Sequence, residues 1–316
     1  MAKSYLPSPK SYLPILIAGP TAVGKSTIAL QLAGQLGGEI ISADSMQVYR
    51  GLDIGTAKPS PAERARVPHH LIDICDLTES FDAAQFARLA HRAVTEIQSR
   101  GHVPILCGGT GLYFKAFLEG LGEAPSADAR LRAELEAMPL EKLLAELRER
   151  DPVTYKKIDR KNPRRVIRAV EVIRLTGRPA SIQRADWDSR HSSLVTRHFY
   201  CFTRQPADLH ARINTRVDAM FARGLVDETR ELLKRGLAEN KTAMQAIGYR
   251  QVVEHLRGER SLAETVELVK VRTRQFARRQ LTWFRAQKNP EWIVLQPDES
   301  LETVVAKLQR RRRVRE

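Results

Sequence analysis

The segment Gly19-Pro20-Thr21-Ala22-Val23-Gly24-Lys25-Ser26 satisfies the pattern GxxxxGK[ST] at every fixed position. An apolar run, Pro14-Ile15-Leu16-Ile17-Ala18, precedes it, and helical spacing follows from Ser26 to Leu36. Strand, tight loop and helix in that order is the context the pattern requires. Glycines let successive backbone N–H groups turn inward around a phosphate, and a helix starting at the same point aims its positive end there. Lys25 adds a point charge, and the Ser26 hydroxyl stands where Mg²⁺ would be held. The pattern points to phosphate binding and leaves open whether ATP is the phosphate carrier.

Downstream, Gly38 to Asp44, His70 to Ile74 and His102 to Cys107 read as strands, with a helix from Phe81 to Arg100 between the last two. Such alternation predicts an α/β fold, a P-loop-type parallel sheet flanked by helices. After Gly120 the pattern changes. Ala129 to Ala137, Leu140 to Arg150 and Pro163 to Leu175 read as helices with no strand among them, an all-helical insertion domain. Residues 178–196 are polar and loop-like. Strand character returns at His198 to Phe202, two long helical patterns cover Leu209 to Lys234 and Leu262 to Gln287, and Trp292 to Leu295 is a final strand candidate. The expected organisation is a flexible N-terminus (1–12), a catalytic core (13–120 and 197–300), the helical insertion (121–196) and a basic C-terminal tail (301–316) whose Gln309 to Arg313 run is solvated.

Charge is divided unevenly. The chain carries +15 overall, of which residues 121–316 hold +14, and 38 of its 52 basic residues are arginine. Arginine suits bidentate contact with phosphate, so the later part of the chain has the footprint of a nucleic-acid partner. No apolar run reaches the ~20 residues of a membrane span, and the N-terminus has no secretory h-region. Cys75, Cys107 and Cys201 stand far apart, without zinc or disulfide spacing. A cytoplasmic home is therefore expected. His69-His70 lacks the carboxylate-histidine spacing of a metal site.

Two further features sit at predicted strand ends. Asp44 closes the second strand at the sheet edge where ligands bind in open α/β folds. It could hold Mg²⁺, act as a general base, or cap the following turn. Gly108-Gly109-Thr110-Gly111 is a second glycine loop between strand and helix, placing Thr110 toward the same pocket. An apolar run ending in aspartate, as in an ordinary NTPase, is missing; Ile72-Asp73 is the nearest approach.

Taken together, the phosphate loop, the Ile41–Pro59 stretch containing DSMQVYRGLDIGTAKP, His69 to Asp73, Gly108 to Tyr113, Asn162 to Ala169, Gln245 to Arg250 and Arg278 to Arg285 resemble the tRNA dimethylallyltransferases, in the family's order over roughly residues 13–295. The resemblance implies transfer of a dimethylallyl group from dimethylallyl diphosphate to N6 of adenosine 37 in tRNAs reading codons that begin with U, with Mg²⁺ and release of diphosphate. It implies Asp44 as general base and Thr110 at the reaction centre. Gly19, Thr21, Ala22, Val23, Gly24, Lys25, Ser26, Thr27 and Arg216 would serve the diphosphate, Arg212 being the alternative one helical turn before Arg216. Asp44, Ser45, Met46, Gln47, Thr110, Arg132, Arg164, Arg165, Arg168, Gln245, Gly248, Tyr249, Arg250, Arg278, Arg279, Trp283 and Arg285 would meet the tRNA anticodon stem-loop.

The residue types suit that chemistry. An adenine amine is a poor nucleophile that a carboxylate would assist, a leaving diphosphate calls for cations, and the target base must leave its stack. Lys270, Arg274, Arg278 and Arg285 share one helix face by spacing. Tyr249 and Trp283 could stack on bases or belong to the core. A monomer suffices, since one extended RNA surface needs no partner subunit. Prenyl transfer to a free adenine nucleotide and a small-molecule kinase remain alternatives, the basic later half arguing against the first. A non-catalytic RNA-binding protein would leave the phosphate loop and Asp44 idle.

Overall fold

A computed structural model describes residues 12–120, 125, 128–182, 198–287 and 290–315. Six parallel strands form one sheet in the order β3-β2-β4-β1-β5-β6. They are β1 (Ile15–Ala18), β2 (Gly38–Ala43), β3 (His69–His70), β4 (Val103–Gly108), β5 (Phe199–Thr203) and β6 (Glu291–Val294). β1 lies at the centre, with Ile17 opposite Cys107 on β4 and Ala18 opposite Cys201 on β5. Its four residues are all buried, as a strand covered on both faces requires.

The helices of this unit are α1 (Lys25–Leu36), α2 (Pro61–Arg66), α3 (Ala83–Ser99), α4 (Gly111–Glu119), α9 (Pro206–Ala222), α10 (Leu225–Lys234), α11 (Tyr249–Leu256), α12 (Leu262–Arg285) and α13 (Leu301–Arg315). α3 opens on a capping box in which Asp82 accepts from the N–H groups of Ala84 and Gln85. The long pattern from Leu209 to Lys234 is two helices, because Gly224 adopts φ +95° and turns the chain between them. The third strand is shorter than its apolar run suggests. Leu71 and Asp73 have φ near +60°, and Asp73 is drawn off the sheet edge into ion pairs with Lys58 and Arg64. Within the stretch 301–316, read as a basic tail, residues Leu301–Arg315 form the last helix instead. Val304, Val305 and Leu308 of α13 are buried in the same core as α1, and Gln309 Nε2 donates to Gln35 Oε1 at 2.8 Å. An apolar pattern too short to stand out beside four consecutive arginines anchors this segment.

Leu118–Val195 forms a second unit. Its helices are α5 (Ala129–Ala137), α6 (Leu140–Arg150), α7 (Pro152–Lys157) and α8 (Pro163–Thr176). Asn162 caps α8 and Gly177 ends it, and Leu135, Leu143, Leu147, Val166 and Val170 make a core of its own. The polar stretch 178–196 beyond Ile182 and the N-terminal segment before Tyr12 lie outside the described residues. No described helix is long and apolar enough to cross a membrane.

Candidate active site

The carboxyl ends of β1, β2 and β4 deliver the phosphate loop, Asp44 and Thr110 to one sheet edge. They line a cavity of about 390 Å³ together with Lys25, Ser26, Arg216, Gln245 and Arg279. Ser45, Met46, Gln47 and Thr21 line it as well.

The loop is held from outside by its carbonyl groups. Arg204 Nε donates to Val23 O at 2.9 Å, Arg212 Nε to Ala22 O at 3.1 Å, and Lys25 Nζ to Pro20 O at 3.2 Å. Ala22 takes φ +63°, a left-handed conformation that costs a non-glycine residue roughly 1–3 kcal/mol and that these bonds stabilise. The first N–H groups of α1 have no acceptor within the helix, so they suit an anion.

Charge inside the cavity is poorly compensated. Burial, and then the neighbouring Arg216 guanidinium, push the Lys25 pKa below its ordinary value, while Asp44 works against them. Burial likewise lowers that of Arg216, again opposed by Asp44. Among the described residues neither cation has an ion pair, and Asp44 is the one carboxylate that acts on both. An incoming anion would supply the missing negative charge. The geometry also separates the two candidate arginines: Arg216 lines the cavity, whereas Arg212 is exposed and spends its Nε on the back of the loop. Lys25, Ser26 and Arg216 are shared with an open groove of about 520 Å³ that Gly24, Thr27 and Arg212 also line.

Asp44 takes one of the roles open to it, the cap, and keeps an oxygen in reserve. Its Oδ1 accepts from Met46 N at 2.9 Å and Gln47 N at 3.4 Å, capping the turn. Among the described residues no hydrogen bond reaches Oδ2, which leaves one carboxylate oxygen for chemistry. Thr110 Oγ1 accepts from Ser45 N at 3.1 Å, so the two strand-end loops are tied at this point.

The facing wall of the cavity comes from the 54–57 turn. Glu228 on α10 accepts from Ile54 N at 2.9 Å and from the Tyr249 hydroxyl at 2.5 Å, and that hydroxyl accepts from Gly55 N at 3.1 Å. Tyr249, read as a candidate for tRNA contact, is therefore a fully buried brace; burial and the adjacent Glu228 carboxylate raise its pKa. Gly248 is buried and Arg250 pairs with Glu254 on the surface. Trp283 is half-buried, edge-on to Phe284.

The basic residues divide. Arg278 and Arg285 are exposed on α12, while Lys270 pairs with Asp218 and Arg274 donates to Asn214 at 2.6 Å. In the helical unit Arg164 and Arg165 are exposed, but Arg132 and Arg168 both bind Glu171, which is fully buried. His69 and His70 join no metal-binding cluster; among the described residues no group of three His, Cys, Asp or Glu could hold a metal ion.

Sequence reasoning passes over Gln280 and Glu228. Each acts through the main chain of segments more than 170 residues away, and no local spacing announces such contacts. Gln280 is the lone amide in Arg278-Arg279-Gln280-Leu281, inside a stretch otherwise read for its arginines.

The family model described as IPP transferase matches residues 47–287. The chain is 48% identical over 286 residues to tRNA dimethylallyltransferase 1 of Trichlorobacter lovleyi, covering 88% of this chain and 92% of that protein. To the tRNA dimethylallyltransferase of Halorhodospira halophila it is 49% identical, over 87% of this chain and 90% of the relative. Its structure is similar to the crystal structure of a full-length tRNA isopentenylpyrophosphate transferase from Bacillus halodurans, with TM-score 0.67, 41% identity, and 96% and 99% of the two chains covered. It is also similar to a eukaryotic dimethylallyltransferase captured acting on tRNA, with TM-score 0.78, 27% identity, and 94% and 77% covered.

Proposed function

This chain belongs to the tRNA dimethylallyltransferase (IPP transferase) family, and from that premise we propose that its cavity joins dimethylallyl diphosphate to N6 of adenosine 37 in tRNAs that read codons beginning with U. The enzyme transfers a dimethylallyl group to tRNA. The observation that carries the finer reading is the single cavity lined at once by Lys25, Ser26 and Arg216 and by Asp44 and Thr110. One group of side chains suits a leaving anion and the other an acceptor amine.

In the proposed reaction the bond from C1 of the dimethylallyl group to the diphosphate oxygen breaks, and the bond from C1 to N6 forms. The N6 proton passes to Asp44 Oδ2, and the diphosphate leaves with the electron pair. Base assistance of this kind is worth about 10²–10⁴-fold. Lys25, Arg216 and the N–H groups opening α1 stabilise charge that grows on the diphosphate, so they favour the transition state over the bound substrate. Thr110 helps to hold the Ser45 main chain beside the base.

Mg²⁺ fits the donors present. The Ser26 hydroxyl is exposed in the first turn of α1 and lines the cavity with the Asp44 carboxylate. A magnesium ion takes hard oxygen ligands and keeps few from the protein when a phosphate provides others. When bound, it would neutralise charge on the diphosphate.

The test is incubation with radiolabelled dimethylallyl diphosphate, Mg²⁺ and unmodified tRNA carrying A36-A37-A38, beside parallel reactions containing AMP. Label at position 37 is expected. Label in AMP alone would reassign the acceptor to a free nucleotide, and label in neither would return the phosphate loop to an ATP-dependent kinase.

A further inference from the structure

Helix α12 descends onto the second glycine loop with no clearance. A Cβ on Gly109 would lie 2.2 Å from Gln280 Nε2, and one on Gly111 would lie 2.2 Å from the Trp283 ring. The missing side chains let the Gln280 amide, 7% exposed, enter between two loops. Its Oε1 accepts from Thr21 N in the phosphate loop at 2.8 Å, and its Nε2 donates to Gly109 O at 2.8 Å. A main-chain donor on one side and a main-chain acceptor on the other fix the orientation of the amide, since the flipped form would set like against like on both sides.

The connection continues. Thr110, next to Gly109, accepts from Ser45 N, and Ser45 follows Asp44, whose Oδ1 caps the same turn. The loop that would hold the leaving diphosphate and the turn that holds the base are thus joined through one buried amide. Thr21, read from the sequence as a diphosphate ligand, has its N–H taken by this amide rather than offered to an anion.

We propose that Gln280 is a positioning residue that sets the distance between the diphosphate loop and the Asp44–Thr110 side of the cavity. It touches no reacting atom; it keeps the leaving group and the acceptor at reacting separation. The inference rests on the reaction proposed above. In-line transfer tolerates little error in that separation, and a displacement of about 1 Å costs on the order of 10² in rate. Affinity for tRNA would draw mainly on the exposed arginines outside this junction and should change little.

Two variants of the full chain test this, Gln280→Leu and Gln280→Glu, each measured for kcat, KM of dimethylallyl diphosphate and Kd for tRNA, with folding followed by circular dichroism. Wild-type transfer to tRNA is the control that isolates the parent reading; its failure would sink the reaction, not the role of Gln280 within it. Gln280→Leu loses both bonds and should lower kcat about 10²-fold, with tRNA Kd within about twofold. Gln280→Glu should behave differently with pH. A neutral carboxyl can donate its O–H to Gly109 O and accept from Thr21 N, whereas a carboxylate opposes the Gly109 carbonyl. The ratio of its kcat to that of the wild type should rise about tenfold or more between pH 8.5 and pH 6, as expected when a single protonation restores the bond. A purely structural role would leave that ratio flat. Near-normal kcat in Gln280→Leu, an equal loss of tRNA affinity, or a flat ratio in Gln280→Glu would each overturn the proposal. If Gln280→Leu fails to fold, the pH profile of Gln280→Glu decides alone.

Discussion

At the amino end of β2, Glu39 is 3% exposed and its carboxylate accepts from Arg100, His70 and His102. At the carboxyl end of the same strand, among the described residues, Asp44 keeps one oxygen without a hydrogen bond while Lys25 and Arg216 face the cavity without ion pairs. Four residues of strand, Ile40 to Ala43, separate a buried charge that is fully satisfied from charges that are not. Burial alone would raise the pKa of Glu39, but bonds from Arg100, His70 and His102 outweigh it and hold the carboxyl at about 2. Satisfied burial of this kind contributes stability and nothing else. Unsatisfied burial costs stability and becomes affinity when a ligand of opposite charge arrives.

The sharpest way to break this contrast is Asp44→Asn. The amide keeps an oxygen to cap Met46 and Gln47 but cannot take a proton, so kcat should fall about 10²–10⁴-fold while the thermal midpoint and tRNA Kd stay near wild type. Turnover within a few-fold of normal would remove Asp44 from the base role. Next in size is the exchange between the two ends. Arg216→Met should lower kcat about 10²–10³-fold yet leave Tm unchanged or higher, because a half-buried cation with no ion pair among the described residues is replaced by an apolar chain.

Glu39→Gln should do the reverse, sparing kcat and lowering stability at pH 7 by about 2–3 kcal/mol. The folded pKa of Glu39, about 2, lies below its ordinary 4.5. Its contribution is therefore complete above about pH 4.5 and lost as pH falls toward 2. Melting curves across that range should be steep for the wild type and flatter for Glu39→Gln; parallel curves would show that the carboxylate is not a stabilising group. The smallest effect is expected at the surface. Arg278→Ala with Arg285→Ala should reduce the slope of log affinity for tRNA against log salt by about 0.7–0.9 for each phosphate no longer neutralised, with kcat unchanged at saturating tRNA. An unchanged slope would place both arginines off the RNA.

The sequence carries those features whose cause is local. A glycine-rich turn between an apolar run and a helix is legible because every determinant lies within a dozen residues, as are the caps at Asp82 and Asn162. What escapes depends on distant partners. The run after His70 reads as strand because nothing in the Leu71–Asp73 segment tells that Lys58 and Arg64 will capture Asp73. Helix α11 goes unread, and Tyr249 at its start is open to an RNA role, because its burial depends on Glu228 and Gly55. Gly224 is a visible break that the strong flanking periodicity masks. In the site, the charged residues that line the cavity are legible by residue type, whereas Gln280 is not, since amides carry no distinguishing pattern until their partners are known.

The placement of β1 also governs how the protein is made. Its neighbours are β4, which ends at Gly108, and β5, which begins at Phe199. A ribosome adding about 5–20 residues per second takes roughly 5–18 s to cross that interval. Throughout it the β1 edge meant for β5 remains open, a template for pairing with any passing strand. What emerges in the meantime is a run of helices with a core of their own. The nascent chain thus spends this interval delivering locally folding segments, and the β1 edge is covered only when Phe199 to Thr203 arrive, with β6 still to follow.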